Sequence, residues 1–129
     1  MKKYHLEDKL YFLGDLSADE MKQAFLDANV FALTSTLENS PNSLGEAMLL
    51  GVPCVAADVG GVRNLMCHGE EGLVYASGDI RALTEDILQL FAMEEKAAAL
   101  GEKARAHALK THDPEKNLQD LMDIYHAIQ

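Results

Sequence analysis

The sequence has little of several features that mark particular classes of protein. It contains two cysteines and no tryptophan in 129 residues, and no apolar run approaches the ~18 residues that a membrane-spanning helix requires. Cys54 and Cys67 are too few for a disulfide framework or a zinc cluster, so we expect reduced thiols in a cytoplasmic protein. The first residues are basic but no apolar segment follows them, and we therefore expect no signal peptide.

Positive charge is scarce as well. Lysine and arginine together number 11 against 21 aspartates and glutamates, a formal net charge of −10 at pH 7. That balance argues against nucleic acid or an anionic membrane surface as a partner. The five histidines show no paired metal-ligand spacing, so the sequence predicts no metal site. Hydrophobic residues make up 48% of the chain, enough for the core of one domain over residues 1–129.

Short apolar runs alternate with amphipathic stretches, a pattern typical of β/α units around a parallel sheet. Strands are predicted at residues 10–13, 30–33, 54–56 and 72–75. Helices are predicted at residues 18–28 and 43–50, briefly around Val62, and from Asp79 onward. Cap signals support these bounds: a capping box of Ser17 and Glu20, Gly51 after a helix, and Asp113 as an N-cap before Pro114. The predicted fold is α/β, a partial Rossmann-like parallel sheet flanked by helices, with a helical C-terminus.

Apolar side chains recur at helical spacing, which predicts the buried face of each helix. Cys54, in a predicted buried strand, is interpreted as a small hydrophobic residue, and Cys67 is not expected to be a nucleophile. The four predicted faces are Met21, Ala24, Phe25 and Ala28; Ile80, Leu83, Ile87, Leu88 and Phe91; Ala97, Leu100, Ala104 and Ala108; and Leu118, Leu121, Met122, Tyr125 and Ile128.

The segment most suggestive of chemistry leaves the strand at 30–33, crosses a polar loop and enters the helix at 43–50. A helix N-terminus offers free N–H groups and the positive end of the dipole, which suits a phosphate. Glu38 and Glu46 bracket that terminus, and a carboxylate can accept hydrogen bonds from vicinal sugar hydroxyls. A nucleotide sugar has this layout of sugar, diphosphate and ribose. The alternative is that Glu46 only complements the helix dipole and Glu38 is solvated.

An ordered series of motifs extends this pattern over nearly the whole chain. Glu38 and Glu46 stand as E-x7-E, followed by Gly51-Val52-Pro53, by Asp58-Val59-Gly60-Gly61 and by His68-Gly69-Glu70-Glu71-Gly72. In this order and spacing, the segment resembles the C-terminal donor domain of family 4 glycosyltransferases, which are retaining enzymes of the GT-B fold. The resemblance runs from about Leu6 to Ile128.

The resemblance implies a role for each matching residue. It implies that Glu46 holds the ribose hydroxyls of the donor, and that Glu38 is the catalytic-site carboxylate that contacts and positions the donor sugar. Backbone N–H groups of Asn42, Ser43 and Leu44 would meet the sugar and the distal phosphate. Gly60 and Gly61 are expected to allow unusual φ/ψ angles or close approach of the donor.

The reaction implied by the resemblance is transfer of a sugar from a nucleotide sugar to a glycan or lipid-linked acceptor, as in polysaccharide biosynthesis. The anomeric configuration would be retained, and neither a metal nor another cofactor would be required. Such an enzyme is expected in the cytoplasm, or peripherally at the inner face of the membrane.

The candidate phosphate site has few cations near it in sequence. No lysine, arginine or histidine occurs in residues 23–62, and a helix terminus stabilises a nearby anion by only roughly 0.3–2 kcal/mol. Members of the resembled family supply an arginine and a lysine from a loop that would precede Met1, as would the acceptor-binding domain. Arg63 is expected to be solvated or paired with an acid. We therefore expect these residues to form a fragment with little activity of its own.

Strand order leads to a further expectation. In a doubly wound order of 3-2-1-4-5-6, the four predicted strands correspond to the third to sixth, and the two central strands are missing. The strand at 10–13 would then lack a neighbour, and the strand at 30–33 would expose an edge. We expect either that these two strands pair directly or that the chain self-associates through exposed strand edges.

Three other functions remain open at this point. A glycosidase also uses two carboxylates, although a phosphate-suited helix terminus has no role in hydrolysing a plain glycoside. A non-catalytic nucleotide-sugar-binding module would need the same residues. An inert fragment would retain only the helical packing.

Overall fold

The computed structural model describes residues 2–39, 41–111 and 114–128, and it is an α/β fold. After a short 3-10 turn at Lys2–Tyr4, the elements follow in the order α1 (Ala18–Asp27), β1 (Phe31–Leu33), α2 (Asn42–Leu49), β2 (Cys54–Ala57), α3 (Val62–Leu65), β3 (Leu73–Tyr75), α4 (Ile80–Ala92), α5 (Glu94–Thr111) and α6 (Pro114–Ile128).

A parallel sheet of three strands, in the order β1-β2-β3, forms the centre of the fold. Ala32 of β1 is aligned with Val55 of β2, and Ala56 of β2 with Val74 of β3. All four residues of β2 are buried because the strand is covered on both faces. Since the strands are parallel, the loops that follow β1 and β2 leave the sheet side by side at one edge.

The local signals explain where several helices begin and end. The N–H of Ser17 donates to the Glu20 carboxylate (2.8 Å) and the N–H of Glu20 donates to Ser17 Oγ (3.3 Å), which confirms the predicted capping box. The hydrogen bond from Ser17 lowers the pKa of Glu20. Gly51 follows α2 with φ +72°, as a residue after a helix C-terminus should. Asp79 caps α4 by accepting from Ala82 N–H (3.0 Å).

Two hydrophobic clusters cover the two faces of the sheet. Cys54 and Ala56 point to the face covered by α1, α2 and α3, whereas Val55 and Ala57 point to the face covered by α4. Helix α5 contributes to both clusters. Its buried Ala97 and Leu100 lie on the α4 side and its Ala104 and Ala108 on the α2 side, which confirms the burial predicted for that helix.

The predicted strand at residues 10–13 is wrong. In the structure these residues form no strand, do not pair with β1, and expose Leu10, Tyr11, Phe12 and Leu13, with Phe12 83% accessible. An extended segment becomes a strand only when a neighbour accepts and donates its backbone hydrogen bonds. Within the described residues the outer edge of β1 carries no partner either, so the predicted rearrangement does not occur and the predicted free edge does.

Several burial predictions are also wrong. Met21 in α1, Ile80, Leu88 and Phe91 in α4, and Leu118, Met122 and Ile128 in α6 are exposed. In α4, Leu83 and Ile87 pack inward as predicted, together with the buried Leu90, which the spacing did not predict. Apolar spacing defines a face of a helix, but burial requires a neighbour that covers it. Asp113, predicted as an N-cap, and the side chains of Leu121 and Tyr125 lie outside the described residues.

No helix among the described residues combines the length and apolarity needed to cross a membrane.

Replacing Gly101 by alanine tests the contact between α5 and the end of α2. A methyl group at this buried position would overlap the carbonyl oxygen of Gly51 and would lie 3.1 Å from the carbonyl carbon of Gly51. Both are backbone atoms, so they cannot rotate aside as a side chain could. Overpacking should cost about 1–3 kcal/mol of stability, which should exceed the gain of about 1 kcal/mol from the higher helix propensity of alanine. We expect Gly101→Ala to lower the free energy of unfolding in urea, with the exposed Glu102→Ala as a control. A variant as stable as that control would contradict the contact.

Candidate functional site

The candidate site lies where β1 ends and α2 begins. Helix α2 starts at Asn42, and the residue at its N-cap, Pro41, has no side-chain group that could accept a hydrogen bond. The first free N–H groups of the helix are those of Asn42, Ser43 and Leu44, because Gly45 N–H already donates to Pro41 (3.3 Å). No acidic residue occupies the first turn of α2. This helix terminus can therefore accept an external anion.

Burial of α2 fixes that terminus in place. Leu44, Ala47 and Met48 are buried in the cluster between the helix and the sheet, and the helix also packs on α5. Leu44 thus offers the site only its backbone, since its side chain is fully inaccessible. Asn42 and Glu46 lie four residues apart on the exposed face of the helix. A rigid helix thereby presents N–H groups and one carboxylate toward solvent.

The two glutamates sit in different surroundings. Glu38 is half-buried in the loop after β1, whereas Glu46 is exposed on α2. Neither carboxylate forms an ion pair or a side-chain hydrogen bond with another of the described residues. The described residues thus leave both carboxylates able to accept hydrogen bonds from a ligand.

Glu46 also lines an open cavity of about 420 Å³ between α1 and α2. Leu16, Ser17, Met21 and Lys22 line its other side. The sequence does not reveal this group, because the helical spacing of Met21 predicts a buried position and Lys22 stands just before the cation-free stretch. The signal closest to it is the capping box at Ser17, which fixes the start of α1, where Ser17 lines the cavity.

Gly60 and Gly61 lie against the loop that carries Glu38. Gly60 has φ +48°, which confirms the expected unusual backbone angle there, whereas Gly61 has an ordinary φ of −82°. A methyl group on it would overlap the carbonyl oxygen of Glu38, and Gly61 N–H donates to Asn39 C=O (3.0 Å). The close approach that the structure contains is thus between two loops of this chain, and the expected approach of a donor stays a prediction.

Arg63 is paired with an acid, as expected. Its guanidinium lies 2.9 Å from Asp58 Oδ2, and both side chains are substantially exposed. An exposed pair of this kind contributes about 0–1 kcal/mol to stability. Because Arg63 has this partner, it supplies the site with no unpaired cation.

His68, His107 and Cys54 make hydrogen bonds within the fold. His68 Nδ1 accepts from Val74 N–H (2.8 Å), and His107 Nδ1 lies 2.8 Å from Glu71. Burial raises the pKa of the Cys54 thiol to about 12, and its sulfur donates to Val52 C=O (3.1 Å), while Cys67 is exposed. In the described part of the chain, no three histidine, cysteine, aspartate or glutamate side chains converge as metal ligands would.

Comparison with known proteins adds to this geometry. Residues 1–107 match the family model described as glycosyl transferases group 1. N-acetyl-alpha-D-glucosaminyl L-malate synthase of Bacillus anthracis is 30% identical over 99% of this chain, which covers 33% of that protein.

Solved structures of relatives share the fold. Anabaena Alr3699/HepE in complex with UDP superposes with a TM-score of 0.90 and is 30% identical, with 98% of this chain and 34% of that chain covered. Sucrose-phosphate synthase of Thermosynechococcus elongatus superposes with a TM-score of 0.89 and is 26% identical, with 98% and 32% covered. The chain therefore spans about a third of the length of these relatives.

The two cysteines should differ sharply in reactivity. A thiol attacks as its thiolate, so burial and a pKa of about 12 should protect Cys54 from a disulfide reagent at pH 8, whereas exposed Cys67 should react. We expect one reactive thiol per native chain and a second only after unfolding. Cys67→Ser should abolish the native reaction and Cys54→Ala should preserve it; rapid reaction of both thiols would contradict the buried position of Cys54.

Proposed function

The chain belongs to the glycosyl transferases group 1 family, and from this premise we propose that it forms the part of a sugar transferase that binds the nucleotide-sugar donor. The observation that carries the proposal is the uncapped N-terminus of α2, flanked in the sequence by Glu38 and Glu46, two carboxylates without partners among the described residues. One relative of the same fold, Alr3699/HepE, has been solved with UDP-glucose. The family favours transfer over the hydrolysis of a glycoside.

The diphosphate of the donor would bind the N–H groups of Asn42, Ser43 and Leu44. Those groups and the helix dipole favour negative charge, and the packing of α2 keeps them directed at one point. On either side of the diphosphate, Glu46 would accept from the ribose hydroxyls and Glu38 from hydroxyls of the sugar. The order sugar, diphosphate and ribose then follows the order Glu38, helix terminus and Glu46.

The cavity beside Glu46 would take the nucleoside end of the donor. Its volume of about 420 Å³ lies in the range of small-molecule sites, and Leu16 and Met21 give it an apolar wall for a base. Lys22 lines the same cavity as Glu46 and adds positive charge there.

In the proposed reaction, the bond between the sugar's anomeric carbon and the phosphate oxygen breaks, the oxygen of an acceptor hydroxyl forms the new bond to that carbon, and the hydroxyl proton passes to the departing diphosphate. Negative charge grows on the departing diphosphate, where fixed N–H donors stabilise it. We propose that Glu38 holds the sugar in the reactive orientation. We also propose that no metal ion is required at the departing diphosphate. Retention of configuration and a glycan or lipid-linked acceptor complete the proposal.

The proposed donor-binding part needs positive charge from residues outside the site. Its candidate site offers helix N–H groups and two carboxylates, and residues 23–62 contain no cation to offset a diphosphate. Since the chain spans about a third of its relatives, we propose that further cations and the acceptor site come from protein beyond these residues. We propose the cytoplasm, or the inner face of the membrane, as the location of the complete enzyme.

Donor titration by calorimetry tests the proposal. Loss of a hydrogen bond to a charged group should weaken UDP and UDP-glucose binding by roughly 10–100-fold in Glu46→Gln. Glu38→Gln should weaken UDP-glucose but not UDP, because only the sugar reaches it. Glu102→Gln on α5 makes the same charge change far along the chain and should bind as the parent does.

GDP and ADP sugars titrated in parallel would identify the base. Unchanged binding in Glu46→Gln would contradict the proposed ribose contact, and absence of binding by every donor would favour an inert fragment. A non-catalytic binding module would bind the donor yet show no sugar transfer in the full-length protein.

We further propose that a second copy of the chain covers the exposed edge of β1 and the segment at residues 10–13. Light scattering should then show a concentration-dependent dimer that Tyr11→Ser with Phe12→Ser weakens, because both side chains are at least 80% exposed. Ile80→Ser removes an exposed apolar side chain elsewhere and should leave the dimer intact. A monomer at all concentrations would contradict the interface.

A further inference from the structure

Two loops meet at the carboxyl edge of the sheet, one after β1 and one after β2. Their strands are hydrogen-bonded neighbours, aligned at Leu33 and Ala56, so the loops begin side by side. The first loop carries Glu38, and the second turns at Gly60 and Gly61. The position of one loop is therefore able to set the position of the other.

The contact between the loops is made by backbone atoms. Gly60, at φ +48°, leaves no room for a side chain beneath the Glu38 carbonyl, and the nitrogen of Asn39 lies 3.4 Å from where a methyl group would stand. Gly61 N–H donates to Asn39 C=O at 3.0 Å. At Gly60 the contact leaves no room for a Cβ atom, and the hydrogen bond from Gly61 fixes the direction of the Asn39 carbonyl. We call these two glycines the glycine clamp.

The turn that carries the glycine clamp is the fixed partner in this contact. Val59 packs against both hydrophobic clusters, and Val62 is completely buried. Asp58 N–H donates to Tyr75 C=O on β3 (2.8 Å), and Val62 N–H donates to Val59 C=O (3.2 Å). The turn is thus tied to the sheet and the core on both sides of the glycines.

The Glu38 loop is held less firmly along its own length. Thr34, Thr36, Leu37 and Asn39 are exposed, Leu37 to 87%. Within residues 34–39, the hydrogen bond from Gly61 to Asn39 ties this loop to another part of the fold. A loop with exposed side chains takes its position from such a tie.

We propose that Gly60 and Gly61 are positioning residues for the donor sugar, because they set where the Glu38 carboxylate stands relative to the N-terminus of α2. The inference rests on the proposed function, in which Glu38 contacts the sugar. A side chain at residue 60 would push the Glu38 carbonyl away and move that carboxylate with it. Recognition of the sugar would change while the nucleotide end, held by α2 and Glu46, would not.

The first arm of the test needs no ligand. Gly60→Ala should shift the amide resonances of Glu38 and Asn39 and make the Gly61 amide exchange about tenfold faster, because its acceptor moves. Gly78→Ala is the matched control, since Gly78 also has positive φ (+85°) but nothing within 4 Å of an added methyl group. This control also places an alanine at positive φ, but without the clash. Unchanged Glu38 and Asn39 resonances in folded Gly60→Ala would overturn the proposal.

The second arm compares UDP with UDP-glucose. Gly60→Ala should bind UDP as the parent chain does and should lose the gain in affinity that the glucose provides, down to the level of Glu38→Gln. The double variant should show no further loss, because both changes remove one interaction. Additive losses, or an equal loss for UDP, would overturn the proposal.

A third measurement uses the unmodified chain, so that a failure of Gly60→Ala to fold does not end the test. UDP-glucose should slow exchange of the Gly61 amide more than UDP does, because a loop that improves sugar binding must be stabilised by the sugar in return. Equal protection by the two ligands would overturn the proposal. If the parent chain binds neither ligand, the proposed function fails and the sugar role of the glycine clamp fails with it, while the ligand-free arm still decides whether the clamp sets the Glu38 loop.

Discussion

The burial of one short helix is the constraint on which the candidate site depends. Leu44, Ala47 and Met48 hold α2 between the sheet and α5, so the N-terminus of α2 cannot move without opening the core. N–H groups that are fixed in this way bind an anion without reorganising first, which is why a helix terminus can act where a mobile loop could not. The close passage of Gly101 past Gly51 belongs to the same packing.

The proposed diphosphate site has little positive charge around it. Two carboxylates flank the site in the sequence, the chain carries a net charge of −10, and Arg63 is paired with Asp58. Among the described residues, the favourable charge near the proposed site comes from the helix terminus and from Lys22 at the neighbouring cavity. In the proposed site, the two carboxylates suit recognition of hydroxyl groups, whereas the helix terminus and Lys22 are the favourable charges for a phosphate.

Two apolar segments remain exposed because no described part of the chain covers them. Tyr11 and Phe12 occupy an irregular segment that pairs with no described strand, and β1 leaves one edge unpaired within the described residues. The hydrophobic sequence of residues 10–13 is suited to a strand, yet strand formation depends on a neighbour that supplies hydrogen bonds. The apolar face of α6, with Leu118 and Ile128 exposed, illustrates the same dependence for a helix.

Sequence alone determined the features that depend on neighbouring residues in the chain. The capping box of Ser17 and Glu20, the positive φ of Gly51, the three parallel strands and the glutamates around the start of α2 all follow from local patterns. Only the tertiary structure decided that residues 10–13 stay unpaired, that Met21 faces a cavity beside Glu46, and that Gly60 meets the Glu38 carbonyl. Caps and periodicity are short-range interactions that a sequence displays directly, whereas each of the latter depends on which distant segment arrives at the same place.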